Sequence, residues 1–419
     1  MDAIRSDDEI TAKRLLRTLK EPNETHLGLS RGQSRGRALG NESAADVYTA
    51  LSNSEAANSG MLEDLEDTIL LVDGISSDII SDITTNIVRQ PLIRYTQAAC
   101  NWYRILLTND VDSGPMWDPN SRSWFSDFVS LPVVESGKLL LVPKSIVRRR
   151  MDYDADEYYR HYILEHLKEV ELSANSELVY LLKDGTPKVT KKSPEEKYGR
   201  GKHVNIEETK KEPSVLSRYR NAKSTNIRPP LNHETFADEG GSPPPEWDAL
   251  LTDITSLPTG RDAASNYERA IESFLTTMLY PALSNPEMQT NIHGGRKRID
   301  ITYSNVAQTG FFGWLAAHYS APHVFVECKN YRGDPTNPEL DQLSGRFSPN
   351  RGQFGLLVCR NIEDKELFAQ RCRDTAQDQR GFIVYLDDND LRLMVDRRQN
   401  DADPLAFTVL RERFNALIM

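Results

Sequence analysis

Between Asn266 and Leu279 apolar residues return every three or four positions, at Tyr267, Ile271, Phe274, Leu275 and Met278. That spacing gathers them on one side of an α-helix, and Ser265 stands where a capping side chain would start it. After this helix the period shortens. Arg298 to Tyr303 and His323 to Lys329 carry apolar residues in the two-residue rhythm of strands, and Phe354 to Cys359 and Phe382 to Leu386 are short apolar runs. Glu363 to Ala376 reads as a helix between the last two. Strands interleaved with helices predict an α/β domain over residues 246–419, a small mixed sheet flanked by helices.

The N-terminal half has a different texture. Asp78 to Arg89 carries Ile79, Ile80, Ile83, Ile87 and Val88 at helical spacing, and Pro91 restarts the turn ahead of a second helix over Leu92 to Leu107. Pro115 to Trp124 is a turn-rich segment whose Trp117 and Trp124 suit core pieces or loop anchors. Gly137 to Pro143 predicts a short strand, and Tyr153 to Val170 a helix with Tyr158, Tyr162, Leu164 and Leu167 inward. Residues 61–182 are therefore expected to form a mainly α or α+β domain. Ser, Asn, Gly and charge dominate residues 1–60, which predict a helix near Ile10 to Leu19 and otherwise mobile chain containing the basic residues Arg31, Arg35 and Arg37. Residues 183–245 hold Pro187, Pro194, Pro213, Pro229, Pro230 and Pro243 to Pro245 with little apolar periodicity, and most of the stretch is expected to be a basic linker, with room for a helical or extended piece at Ser214 to Tyr219.

The chain has 419 residues and a formal charge of −11, which argues against coating nucleic acid by bulk attraction and leaves a local basic cleft open. From Lys183 to Arg228 the local balance reverses, with thirteen Lys or Arg against six Asp or Glu. Apolar runs are too short to span a bilayer, and the charged start lacks the apolar centre of a secretory signal, so a cytoplasmic protein without membrane contact is expected. Cys100, Cys328, Cys359 and Cys372 lie far apart without a C-x-x-C pair, against a zinc ribbon or a disulfide framework. No phosphate-binding G-x-x-x-x-G-K-[ST] loop occurs.

Along His323 to Lys329, strand alternation puts Glu327 and Lys329 side by side on one face. Apolar residues precede them, so both fall at the end of a packed strand, where charge is costly without a purpose or a partner. Asp300 stands between Ile299 and Ile301 in the neighbouring apolar strand. Two carboxylates on adjacent strands can hold a hard divalent cation, and the main-chain carbonyl of Cys328 offers a third oxygen. Magnesium held there can stabilise charge on a phosphate and acidify a bound water, while Lys329 orients that water. Arg296, Lys297 and Arg298, after Gly294 and Gly295, suit either phosphate contacts or a solvated turn. Arg346 and Arg351 suit the wall of a nucleic-acid cleft or a soluble helix end. The run Arg148 to Arg150 after Lys144 offers a second phosphate-contacting edge or a solvated strand end.

Asp300, Glu327, Cys328 and Lys329 resemble the D…E-x-K signature of the PD-(D/E)xK nuclease superfamily, above all its restriction-endonuclease-like members that read V-E-C-K-N-Y. The resemblance covers residues 266–395. Ile299 replaces the signature's proline, and the interval from Asp300 to Glu327 requires an insertion near residues 305–322. The resemblance implies a catalytic glutamate on the preceding helix, matched by Glu268 with Glu272 as a substitute, and a glutamine at the start of the next helix, matched by Gln342. It implies a magnesium-dependent endonuclease acting on DNA, with manganese able to substitute. By analogy it points to prokaryotic anti-phage defence or restriction, a dimer or tetramer, and a further defence-system subunit as partner. An inactive nucleic-acid-binding or regulatory subunit, or a nuclease for RNA or branched DNA, is the alternative.

Overall fold

The computed structural model describes residues 2–19, 22–26, 41–59, 61–148, 151–225, 229–240, 243–400 and 403–419. The chain divides into two compact units, Met1–Val142 with Arg148–Arg228, and Pro143–Val147 with Pro229–Met419.

The first unit is mainly helical, with short antiparallel strand pairs such as Thr108–Asp112 against Phe128–Leu131. Two helices, Ser77–Ile87 and Arg89–Tyr103, replace the expected 78–89 and 92–107, with Pro91 in the first turn of the second. Their inward face differs from the apolar reading: Ile87 is exposed, while Asn86 and Arg89 are buried and Arg89 pairs with Glu24. The expected 153–170 helix is Ala155–Tyr158, a π-turn over Tyr159–Ile163, and Leu164–Ser173, with Tyr158, Leu164 and Leu167 buried and Tyr162 half-buried. Trp117 and Trp124 face each other across a hairpin, edge to face at 5.0 Å. Only Gly137–Lys138 of the expected 137–143 strand pairs as one. Described helices occupy much of the first sixty residues, including Glu9–Arg17 and Asn41–Ser52; Arg31, Arg35, Arg37, Arg149 and Arg150 lie outside the described residues.

The expected linker departs most from the prediction. Lys192–Tyr198, Lys202–Lys211 and Ser214–Thr225 are helices of the first unit, and Val204, Val215, Leu216 and Tyr219 are part of its core. Few apolar residues suffice because each is fully used: Tyr219 packs against Tyr153, Tyr158 and Tyr162 with ring centroids 5.0 to 5.2 Å apart. Polar ties add to this, with Arg220 donating to the buried Asp67 at 2.6 Å.

In the second unit α1 (Trp247–Thr255) and α2 (Ala264–Met278) precede a five-stranded sheet. Its strands are β1 (Leu283–Ile292), β2 (Lys297–Asn305), β3 (His323–Lys329), β4 (Phe354–Cys359) and β5 (Phe382–Leu386). They lie side by side in chain order, the first three antiparallel and β3, β4 and β5 parallel, so the sheet is mixed. The unit also contains helices α3 (Gly310–His318), α4 (Asn337–Ser344), α5 (Lys365–Gln377), α6 (Asp388–Asn400) and α7 (Thr408–Ile418), and a short helix over His233–Gly240 ahead of α1. Every residue of β4 is buried, as a central parallel strand covered on both faces requires. Helix α2 buries Tyr267, Ile271, Phe274, Leu275 and Met278 as expected, but it starts at Ala264, so Ser265 lies inside it and is not its cap. The insertion after β2 is α3, which sinks Phe311, Phe312 and Leu315 into the core. Cys100, Cys359 and Cys372 are buried free thiols. Among the described residues no helix is long and apolar enough to cross a membrane.

Candidate active site

Strands β2 and β3 pair from Ser304 opposite His323 to Ile301 opposite Val326, so Asp300 and Glu327 are the next residues beyond the last pair. At that step the Asp300 side chain reaches the neighbouring strand: its Oδ2 accepts a hydrogen bond from the Cys328 amide at 2.9 Å. Main-chain N–H and C=O of one strand residue leave on the same edge, so the Cys328 carbonyl belongs to the Asp300 side as well.

Glu327 is 2 % exposed. Its Oε1 accepts from Lys329 Nζ at 2.9 Å and from Gln342 Nε2 on α4, and Gln342 Oε1 accepts from Lys329 Nζ at 3.0 Å. Acid, amine and amide therefore close a triangle. Gln342 sits in the last turn of α4 and not at the helix start that the nuclease resemblance implies. Glu327 Oε2 is buried without a hydrogen-bond partner. Burial raises the proton affinity of Asp300 and of Glu327, and the charge of Asp300 raises that of Glu327 further, against the opposing pull of Lys329 and Arg346.

Glu268, on α2, is half-buried, and its Oε2 accepts from Gln289 Nε2 on β1. Burial, then the charge of Asp300, push its carboxyl up to about 7, with Arg298 opposing and Glu327 adding to the rise. Glu268 thus belongs electrostatically to the pair Asp300 and Glu327. Glu272 does not join them: it is fully buried, accepts from Thr276 Oγ1 at 2.7 Å, and its carbonyl accepts from the Tyr303 hydroxyl.

Of the candidate phosphate contacts, Arg346 is buried and near enough to Asp300 and Glu327 to favour their charged forms, and its Nε has no partner. Arg298 is exposed and acts likewise on Asp300 and Glu268. Lys297 is exposed and donates to the Gly345 carbonyl after α4 at 3.1 Å, and Arg296 is exposed on the β1–β2 turn with His293. Arg351 donates to the Arg346 carbonyl. Sequence reasoning missed Gln289, which steadies Glu268; a glutamine in a half-exposed strand carries no signal of its own.

The donor set suits a hard cation. An orphaned buried carboxylate oxygen, a second carboxylate across from it and a main-chain carbonyl on the same side form an oxygen-only site. Among the described residues no three His, Cys, Asp or Glu side chains converge to hold a metal alone. Two carboxylates with water filling the rest is the usual arrangement for magnesium. Two described concavities of this unit, one of about 340 Å³ beside His233 and Lys144, share no lining residue with the acids. The chemistry of the strand ends, rather than the depth of a cavity, identifies the site.

The fold and site together define a mixed α/β unit with an acid–lysine–glutamine constellation at the ends of two antiparallel strands. Residues 1–154 match a family described as a domain of unknown function (DUF8370), which stops short of every residue of the site. No curated protein and no solved structure matches the chain.

Proposed function

We propose that the C-terminal unit is a magnesium-dependent endonuclease that hydrolyses DNA phosphodiester bonds, of the PD-(D/E)xK type. The triangle of Glu327, Lys329 and Gln342 beside Asp300 carries the reading, because it joins a pair of metal-binding carboxylates to an amine within 3 Å of one of them. Asp300, Glu327 and the Cys328 carbonyl would hold magnesium or manganese. The ion supplies Lewis-acid polarisation of the phosphate and a more acidic bound water. Lys329 Nζ, steadied by Gln342, orients the attacking water and offsets negative charge that grows on the phosphate oxygens. Glu268, with its carboxyl near neutrality, can exchange a proton with water in the site. Arg298 and Arg346 counter the charge of the substrate backbone, and Lys297 and Arg296 extend that positive edge.

A role in anti-phage defence or restriction, a dimer or tetramer that offers one site per strand, and a further subunit as partner accompany this reading by analogy. Supercoiled, linear and single-stranded DNA and RNA, each incubated with magnesium or chelator, test it. DNA cleavage in magnesium alone is expected. Cleavage in excess chelator overturns it, cleavage of RNA alone reassigns the substrate, and metal-dependent binding without cleavage favours the inactive regulatory subunit.

A further inference from the structure

Asn330 follows Lys329 at the end of β3 and is 6 % exposed. Its side-chain Nδ2 donates to the carbonyls of Pro258 at 3.1 Å and Gly260 at 3.0 Å, and its own carbonyl accepts from the Gly260 amide at 2.7 Å. Those residues lie on the short connection from α1 to α2. A second side chain grips the same connection from the end of β4. Arg360 donates to the carbonyls of Leu257 at 2.7 Å and Thr255 at 3.2 Å, to Asn330 Oδ1 at 3.4 Å and to Asp388 at 3.0 Å. Its guanidinium also lies 5.3 Å from the ring centroid of Tyr267, the residue before Glu268. Gly260 has φ +120°, a conformation that glycine alone adopts cheaply and that lets the connection present both its amide and its carbonyl to Asn330.

We propose that Asn330 is a positioning residue, which fastens the first turns of α2 to the end of β3 and so sets the spacing of Glu268 from Glu327 and Lys329. Its consequence for catalysis rests on the nuclease reading; the fastening itself does not. The main-chain bond to the Gly260 amide would survive any substitution, but two carbonyls satisfied by one side-chain amide make a joint that few other residue types can reproduce. Alanine removes both donors, and aspartate turns a carboxylate toward two carbonyl oxygens. Misplacement of a supporting group by a fraction of an ångström is enough to slow a reaction that depends on alignment.

The test uses the full chain and two variants that reach the joint from opposite sides, Asn330→Ala and Gly260→Ala. The second strains the backbone without meeting any neighbouring atom and carries the test should the first fail to fold. Amide exchange should quicken across residues 256–268 in both, while strands β2 and β3 keep their protection. Under saturating magnesium, kcat for DNA cleavage should fall about 10- to 100-fold with KM unchanged, the usual effect of losing a supporting shell. Quickened exchange confined to residues 256–262, or a loosened α2 with parental kcat, overturns the proposal. A parental chain that cuts no nucleic acid refutes the nuclease reading, and the exchange at residues 264–268 still decides whether Asn330 fastens α2.

Discussion

Glu327 divides its two oxygens: Oε1 ties down Lys329 and Gln342, and Oε2 is left in the interior with no hydrogen bond. A buried carboxylate oxygen without a hydrogen-bond partner is costly, and on the nuclease reading a bound cation would complete it. Asp300→Ala, Glu327→Ala and Lys329→Ala should each abolish cleavage in protein shown free of contaminating nuclease; parental rates for Lys329→Ala would reduce the E-x-K to a charge pair. Binding should separate the roles. Without metal, Asp300→Ala should bind DNA as tightly as the parent or better, because a negative charge facing phosphate is gone, whereas Lys329→Ala should lose about one phosphate contact in affinity, as titrations in chelator would show. Glu268 supplies a pH signature. Its carboxyl, raised to about 7, holds a proton more tightly in the folded chain, so the metal-free protein should lose stability as pH rises from about 4.5 through 7. Glu268→Gln should therefore stabilise the metal-free protein at pH 8 and have less effect at pH 5, as denaturant titrations at the two values would read.

At the scale of elements, the helices over residues 192–225 show how composition misleads. Prolines and lysines hide a helical stripe of only Val204, Val215, Leu216 and Tyr219, and the charge that looked like a solvated linker is spent on pairs such as Arg220 with Asp67. Tyr219→Ala should cost about 3–5 kcal/mol in a denaturant titration, since it empties the centre of an edge-to-face cluster of four tyrosines and removes the hydroxyl that accepts from the Asp154 amide. A loss under about 1 kcal/mol would return that helix to the surface. Glu171 joins the Leu164–Ser173 helix to Lys192–Tyr198 through Lys197 at 2.6 Å and through the Tyr198 hydroxyl. Bonds from Lys197, Ser176 and Tyr198 hold its carboxyl down at about 2, below its ordinary 4.5. The stability this supplies is fully present above about pH 4.5 and is lost as pH falls toward 2. Glu171→Gln should lower stability at pH 7 and flatten the acid limb of the stability curve.

For the whole molecule, each unit has a hydrophobic core of its own, with residues 229–419 gathering theirs around the sheet. A fragment of residues 229–419 should therefore unfold cooperatively and keep metal-dependent cleavage, and residues 1–228 should fold without it. A second-unit fragment that is molten when separated, by near-ultraviolet circular dichroism, would show that it depends on the first. The fragment gives up Pro143–Val147, whose Lys144 lies over Phe236 at 5.2 Å, and should lose only a small part of its stability with it.

The alternation of His323 to Lys329, the lone Asp300 among isoleucines and the amphipathic stripe of α2 were legible in the sequence because each is set by short-range period, and period survives without knowledge of the partner surface. So were the mixed α/β class of the second unit and the pairing of Glu327 with Lys329 on one face. The resemblance put Glu268 ahead of Glu272, but residue spacing could not: one helical turn separates them, and the packing of α2 on the sheet brings the first within electrostatic reach of Asp300 and Glu327. The tertiary structure joined Gln342, which the resemblance had singled out, to Lys329 from thirteen residues away, set Arg346 near the acids and recruited Asn330 and Arg360 to one connection. These contacts join residues distant in the chain, and sequence period has no means of registering them; the same holds for residues 192–225, whose few apolar side chains become a core only when the tyrosines of another helix close over them.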